Sequence, residues 1–467
     1  MKYYLAIDIG ASSGRHILAH LEDGRIVLEE VHRFKNGMVH KDGHLVWSVD
    51  RLFEEILTGM KKCKELGKIP YSMGIDTWAV DYALLDENDQ LLGDVYGYRD
   101  ERVNGMDEEV YKYISESELY KRTGIQKQPF NTIYQLMAHK KLASKDFARA
   151  KKMLLVPDYF HYLLSGQKVT EYTNASTTQL ISPVTKKWDY ELIDLLGYPR
   201  EIFGEIRNPG EEIGVLTDKI QEYVGFNCKV VLPPTHDTAS AVMAVPSYES
   251  ENVLYISSGT WSLMGTELME ANCSQESKEA NLTNEGGYDY RFRFLKNIMG
   301  MWMINSVKEE IAPDISFSDL CEMAANESIT SIVNVNDKCF LAPESMVTAV
   351  KNYCANSEQQ VPEGIAQIAN VIYRSLAKCY ADTAKEIERI VNKDFDEVYI
   401  VGGGANASYL NALTAKACAK PVFAGPIEAT ALGNIAAQMI YAKELEDLKS
   451  ARKCIYNSFS IRSFEVD

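Results

Sequence analysis

The stretch that decides the fold is residues 6–15, Ala6-Ile7-Asp8-Ile9-Gly10-Ala11-Ser12-Ser13-Gly14-Arg15. A β-branched apolar run ends on a carboxylate, Asp8, and gives way to small residues that favour a tight turn. Upstream, Tyr3 to Ile9 reads as a strand. Downstream, Arg15 to Leu21 continues extended, Asp23-Gly24 signals a hairpin, and Ile26 to Phe34 resumes. Such a turn offers N–H groups and hydroxyls that can wrap phosphate oxygens, and Asp8 can hold a hydrated Mg²⁺ beside them. The same letters also fit an ordinary Asp-x-Gly hairpin turn in which Ser12 and Ser13 only satisfy backbone groups. Taken alone, the segment leaves both readings open.

The next residues complete a compact unit. Asp50 is a candidate N-cap for a helix whose apolar stripe is Phe53, Ile56, Leu57 and Met60, with Gly67 closing it. Ser72 to Asp76 then reads as a short buried strand. A similar pattern returns later: Val230 to Leu232 leads into Pro233-Pro234-Thr235-His236-Asp237, and Val253 to Ser257 leads into Ser258-Gly259-Thr260 before Trp261 to Thr266. Strand, small-residue turn, strand occurs twice, which hints at a duplicated domain. Two such turns taken together favour the phosphate reading over the plain hairpin.

Farther on, Ile365, Ile368, Ile372, Leu376, Cys379, Thr383, Ile387 and Ile390 recur at helical spacing within a helix over Glu363 to Val391. Val398 to Val401 is a strand and Gly402-Gly403-Gly404 a tight turn. Ser408 to Ala419 is a helix, Pro421 to Ala424 a strand, and Glu428 to Ala442 a closing helix. This is α/β architecture. A polar break at Pro246, Ser247 and Glu249 to Glu251 places the domain boundary near residue 245, giving domains over 1–245 and 246–455 and a tail over 456–467.

Gly402-x-Gly404-x-x-Ala407 fits the dinucleotide-binding fingerprint, which also wants an acid about 20 positions later at the end of the next strand. Here that strand runs into Gly425-Pro426 with no carboxylate before Glu428, which disfavours an NAD-dependent oxidoreductase. Glycines for close helix–strand packing explain the motif as well. No P-loop sequence is present. In Thr235-His236-Asp237-Thr238, Asp237 could accept a proton from a substrate hydroxyl. It could equally cap a helix over Thr238 to Met243. Gly74 to Asp81 mixes Trp78 with carboxylates, as sugar sites do, or packs as a strand through Trp78.

Composition narrows the classes. A chain of 467 residues with 46% hydrophobic and 25% charged residues is that of a folded protein of two or three domains. Its 49 basic against 66 acidic residues give a formal charge of −17, which repels a phosphate polymer and argues against nucleic acid as partner. The 9 cysteines include no C-x-x-C pair, so a zinc ribbon is not expected and reduced thiols are. Asp8 interrupts the only N-terminal apolar run, and no window nears the ~20 apolar residues of a membrane span. A soluble, cytoplasmic chain without membrane partners is the expectation.

In order along the chain, AIDIGASSGR (6–15), GIDTWAVDY (74–82), YRDERVNG (98–105), GIQKQPFNTIYQL (124–136) and PDYFHYLLSG (157–166) resemble the FGGY carbohydrate kinase family. So do EYTNASTTQL (171–180), HDTASAV (236–242), SSGTWSLMG (257–265), NEGG (284–287), LKNIMGMW (295–302) and VGGGANASYLN (401–411). This family lies within the actin, sugar-kinase and chaperone ATPase superfamily. The likeness covers nearly the whole chain, and TWAVD, EYTNASTTQL and LKNIMGMW are its most specific parts.

The resemblance implies two ribonuclease-H-like, actin-like ATPase domains around a central interdomain cleft, and a kinase that uses ATP and Mg²⁺ on a ketose. It further implies that Ala11, Ser12, Ser13, Gly14 and Arg15 form the first phosphate loop, with Asp8 near the metal. Thr260 matches the second phosphate contact, and Asn305 and Gly402 match nucleotide-side positions. Asp237 matches the catalytic base, while His236, Thr238, Asn297 and the backbone of Ala79 match sugar contacts. Relatives in the branch it most resembles commonly show Gly where this chain has Ala79. A monomer or small homo-oligomer is expected. The alternatives are another ketose kinase of the family, for L-fuculose among others, and a non-enzymatic actin-like nucleotide switch, against which Asp237 and the Trp78 segment argue.

Overall fold

β1 (Tyr3–Ile9) is buried along nearly its whole length, as a strand covered on both faces must be. It pairs antiparallel with β2 (Ser13–Glu22), which pairs antiparallel with β3 (Arg25–Lys35). Asp23 and Gly24 turn the second hairpin with φ of 50° and 77°, the positive values that its tight turn requires. α1 (Val49–Glu65) follows, and β4 (Pro70–Thr77) returns parallel to β1. Asp50 is not the N-cap of α1: Ser48 holds that position, and Asp50 lies inside the first turn, where its charge still suits the helix dipole.

The computed structural model describes residues 1–466. The chain forms two compact units: Met1–Ala244, Glu267–Phe294 and Thr430–Ser458 make one, and Val245–Thr266, Leu295–Ala429 and the chain from Phe459 onward make the other. In the first unit, β5 (Glu212–Val215) and β6 (Lys229–Val231) extend the sheet in the order β5-β6-β4-β1-β2-β3. Leu5 and Ile7 of β1 join Leu52, Ile56 and Met60 of α1 in its core. The residues between 82 and 203 build a second apolar cluster around Tyr134, Tyr172 and Trp188. α2 (Asp237–Met243) follows β6 through a Pro-Pro turn.

The second unit repeats the opening scheme. β7 (Val253–Ser258) and β8 (Trp261–Leu268) form an antiparallel pair around a small-residue turn, and β9 (Glu397–Val401) lies parallel to β7. α3 (Gly364–Val391) precedes β9 with a buried face wider than one stripe, since Tyr373 and Tyr380 are buried too. α4 (Ser408–Cys418) leads to β10 (Val422–Ala424), and β11 (Arg462–Phe464) pairs antiparallel at its edge. The expected closing helix, Ala429–Tyr441, is not the last element, because a helix over Leu448–Ser458 and then β11 follow it.

The helix Ala429–Tyr441, most of which belongs to the first unit, packs a polar row against that unit's strands. Asn434 Nδ2 donates to the Gly74 carbonyl at 3.1 Å, Gln438 Nε2 donates to the Leu5 carbonyl at 3.0 Å, and Ser72 Oγ donates to Gln438 Oε1 at 2.7 Å. Gly433 lets this helix approach α2: a Cβ there would lie 1.8 Å from the Ser240 carbonyl oxygen. On an open helix face Gly→Ala stabilises by up to ~1 kcal/mol. Here Gly433→Ala is expected to destabilise by about 1–3 kcal/mol, because backbone must move. Chemical denaturation of the two proteins reads the sign directly.

Candidate active site

Three carboxylates gather at one end of the first sheet. β1 and β4 run parallel, which makes Asp8 and Asp76 register partners. Thr77 donates its N–H to the Thr235 carbonyl at 2.9 Å and bridges His236, bringing the loop before α2 to the same edge. Arg15 reaches back across the hairpin to Asp8, Nε at 3.1 Å and Nη2 at 3.0 Å from Oδ2. Asp76 is fully buried. Asn434 donates to its Oδ2 at 2.6 Å, and among the described residues its Oδ1 has no hydrogen-bond partner. Burial, then the charge of Asp8, push the Asp76 carboxyl well above its usual range.

Of the residues that the sequence suggests for phosphate, Ala11 and Ser12 lie in the turn between β1 and β2, while Ser13, Gly14 and Arg15 open β2. Ser12 and Ser13 are exposed and Gly14 is buried against Phe34. Asn36 pins the turn from β3's end, donating its side-chain amide to the Gly10 carbonyl at 2.8 Å and its backbone N–H to the Ser12 carbonyl at 2.9 Å.

Asp237 is the first residue of α2, and His236 takes the N-cap position without a side-chain cap bond. The capping role open to Asp237 in the sequence is therefore not the one it has. Its Oδ1 accepts from the Thr238 N–H at 2.6 Å and from Thr238 Oγ1 at 3.2 Å, and His236 Nε2 stands 3.5 Å away. Among the described residues Oδ2 has no partner, and a third of the side chain is exposed (33%). One oxygen is pinned and the other is open. That is the disposition of a group ready to accept a proton.

Behind this loop, Glu171 collects donors. Its carboxylate accepts from the Thr173 N–H (2.8 Å) and Oγ1 (2.6 Å), the Asn174 N–H (3.2 Å), and the Thr235 N–H (3.0 Å) and Oγ1 (2.7 Å). Burial pushes the Glu171 carboxyl up, against the pull of the Thr173 and Thr235 donors. Thr173 Oγ1 also accepts from the His236 N–H at 3.3 Å. The block 171–176 thus anchors the segment Thr235-His236. Residues 284–287 dock on the same block, the Gly286 N–H donating to Ser176 Oγ at 2.7 Å.

The segment after β4 is ordered around Asp81, which is buried. Its carboxylate accepts from Trp47 Nε1 (2.7 Å), Trp78 Nε1 (3.0 Å), the Tyr98 N–H (3.0 Å) and Gln135 Nε2 (2.8 Å). Burial pushes its carboxyl up to about 6 even so. The rings of Trp47 and Trp78 lie 3.9 Å apart. Val80 sits at φ 70°, costly for a β-branched residue, and Thr132 Oγ1 holds its carbonyl at 2.8 Å. Ala79, half-buried, is presented by this braced turn.

In the second unit, Thr260 lies exposed in the turn between β7 and β8. The Trp302 N–H donates to the Thr260 carbonyl at 3.0 Å, starting the helix Trp302–Ile311, which carries Asn305. Gly402, at φ 84°, brings its loop so close that a Cβ would lie 2.9 Å from the Ser258 carbonyl; at Gly404 it would meet Ser258 Oγ at 1.9 Å. Close packing against β7 accounts for these glycines. Thr260 thus lies in the β7–β8 turn, Gly402 packs against the Ser258 that enters it, and Asn305 lies in the first turn of the helix that starts beside it. Asn297 is on the strand Phe292–Met299.

The residue-by-residue reading did not identify Glu171, Glu285, Arg293 or Asn434. The blocks holding Glu171 and Glu285 were visible as motifs; Glu171 has local donors in Thr173 and Asn174, but its bonds to Thr235 and the contacts of Glu285 with His236 reach across distant sequence. Among the described residues no group of three or more His, Cys, Asp or Glu side chains could hold a metal by themselves. Among the same residues no helix is long and apolar enough to cross a membrane.

Residues 3–244 match the model of the FGGY family of carbohydrate kinases, N-terminal domain, and residues 254–442 match its C-terminal domain. A rhamnulokinase of Halalkalibacterium halodurans is 49% identical over 99% of both chains. One from Bacillus subtilis is 44% identical over 99% of this chain and 95% of its own. Among solved structures, a ligand-bound xylulose kinase from Lactobacillus acidophilus superposes with a TM-score of 0.82 at 16% identity, covering 100% of this chain and 94% of its own. Plasmodium falciparum glycerol kinase with ADP gives 0.77 at 14%, covering 100% and 95%. Two family models that between them take in most of the sequence, on a fold shared with solved sugar kinases, lead to one conclusion: the chain belongs to the FGGY family of carbohydrate kinases.

Proposed function

We propose that this enzyme transfers the γ-phosphoryl group of ATP to the C1 hydroxyl of L-rhamnulose, giving L-rhamnulose 1-phosphate in the breakdown of rhamnose. Its support is the near-full-length likeness to proteins named rhamnulokinase. The observation that carries the chemistry is Asp237, with Oδ1 pinned by Thr238 and Oδ2 open. Asp237 takes the C1 hydroxyl proton as that oxygen bonds to the γ-phosphorus, and the bond to the β-phosphate oxygen breaks to release ADP. In the first unit, residues Ala11 to Arg15 offer N–H groups and a guanidinium to phosphate oxygens. In the second, Thr260, Asn305 and Gly402 are the proposed nucleotide contacts. His236, Thr238, Asn297 and the Ala79 backbone are proposed to orient the sugar.

The buried, unpartnered Asp76 Oδ1 beside Asp8 suits a divalent cation, and with fewer than three protein ligands Mg²⁺ would be shared with substrate phosphates. Asp8 and Asp76 would hold it, directly or through water. When bound, it would neutralise charge on the transferring phosphates.

A coupled assay of ADP release across ketoses and aldoses tests the reading. L-rhamnulose should give the highest kcat/KM. If L-fuculose or D-xylulose is better, the substrate assignment fails while the kinase stands. The Ala79 methyl, where relatives commonly have glycine, is proposed to narrow the choice of sugar. Ala79→Gly should therefore lower the preference for L-rhamnulose over the next ketose, by up to the ~10–200-fold that one methyl group can supply. Ratios of kcat/KM for the two sugars check it.

A further inference from the structure

Beside the Asp237 loop lies a buried ion pair with no part in the mechanism so far. Arg293 is completely buried, and its Nη2 lies 3.0 Å from Glu285 Oε2. The same Nη2 lies 3.0 Å from His236 Nδ1, while Nε donates to the Gly286 carbonyl at 2.9 Å. Glu285 Oε2 is 3.4 Å from that ring nitrogen. Burying two charges costs several kcal/mol and is weakly repaid as stability, so such a pair often serves geometry instead.

The geometry has one chemical consequence. A guanidinium only donates, so a His236 Nδ1 in hydrogen-bond contact with Arg293 must be the acceptor, and the ring proton must sit on Nε2. Nε2 is the atom that faces Asp237 Oδ1, at 3.5 Å. Were Arg293 absent, Glu285 would stand alone at Nδ1 and draw a proton onto it. Nε2 would then become a lone pair opposed to the Asp237 carboxylate, or the ring would charge between two carboxylates. Glu285 keeps the guanidinium in place. Burial raises its carboxyl, but the charge of the Arg293 guanidinium overcomes this and holds it down to about 2.

We propose that Glu285 and Arg293 are positioning residues that fix His236 as its Nε2–H tautomer and aim that N–H at Asp237 and the sugar hydroxyl beside it. This rests on Asp237 as the base. The charged groups facing the His236 ring are Asp237 from its own segment and Glu285 and Arg293 from the neighbouring one.

The first test needs no variant. ¹⁵N spectra of histidine-labelled wild-type protein, with His236 assigned through His236→Asn, should show Nδ1 unprotonated and Nε2 protonated. A protonated Nδ1 overturns the proposal. The second test uses Arg293→Met with Glu285→Leu, which removes both charges and leaves no buried ion alone, and Arg293→Lys, which keeps a donor. In the double variant kcat should fall about 10–100-fold, with KM for ATP within about twofold of wild type and the fixed tautomer lost. Arg293→Lys should recover part of the rate. Unchanged kcat in the double variant, with Asp237→Asn inactive, refutes the positioning role alone. An active Asp237→Asn refutes the base on which it rests.

Discussion

Asp237→Asn is expected to lower kcat by about 10²–10⁴-fold, the usual contribution of a general base. Asn keeps the size of the side chain and can still accept from Thr238 through its carbonyl oxygen. It cannot take the hydroxyl proton. ATP affinity and melting temperature should stay near wild type, since Asp237 is partly exposed and, among the described residues, its carboxylate meets only Thr238 and His236. A residue that merely capped the helix would behave otherwise: Asn caps about as well as Asp, and activity would be unmoved. Turnover, ATP titration and thermal melting on one variant separate the two roles. Near-normal turnover would shift attention to Asp76 and Asp81.

The second large effect is expected at Glu171, which reaches catalysis through the loop it holds. Glu171→Ala would strand five donors in the interior: two from Thr173, one from Asn174 and two from Thr235. Each buried donor left without a partner costs about 1–3 kcal/mol, although local rearrangement and water will recover some of it. A loss of about 3–5 kcal/mol is a fair expectation, comparable to breaking a buried ion pair. At ~2–4 °C per kcal/mol this lowers the melting temperature by roughly 6–20 °C. Residual folded protein should also turn over more slowly, because Thr235 and His236 lose their anchor. Glu171→Gln, which keeps an acceptor oxygen, should lie between. A silent Glu171→Ala in denaturation would show that the loop is held by its backbone contacts alone.

How much of this could be read from the letters depends on the range of the interaction. The β1–β2 turn was legible because alternation, a terminal Asp and a run of small residues are adjacent in sequence. The duplication was legible for the same reason, and β7, β8 and β9 repeat the β1, β2 and β4 scheme. Gly402 and Gly404 looked like a cofactor fingerprint, and only the approach of Ser258 explains them without one. Asp237 was legible as a candidate base or a cap, two roles that differ by one residue in where the helix starts.

The supports were not legible. Glu171 meets Thr235 across 64 positions, Arg293 meets His236 across 57, and Asn434 meets Asp76 across 358. Nothing local marks such pairs. A carboxylate in EYTNAS or NEGG reads like any surface acid until the fold buries it. Asp81 is similar: one of its four donors, Trp78, is local, but the other three come from three separate stretches of chain.

The most direct test of the central claim is the identity of the product. The enzyme, ATP, Mg²⁺ and L-rhamnulose should yield one equivalent of ADP per sugar consumed and a single new ³¹P resonance coupled to the two C1 protons. Phosphate on another carbon, ATP turnover indifferent to sugar, or no phosphorylated ketose at all would contradict the account.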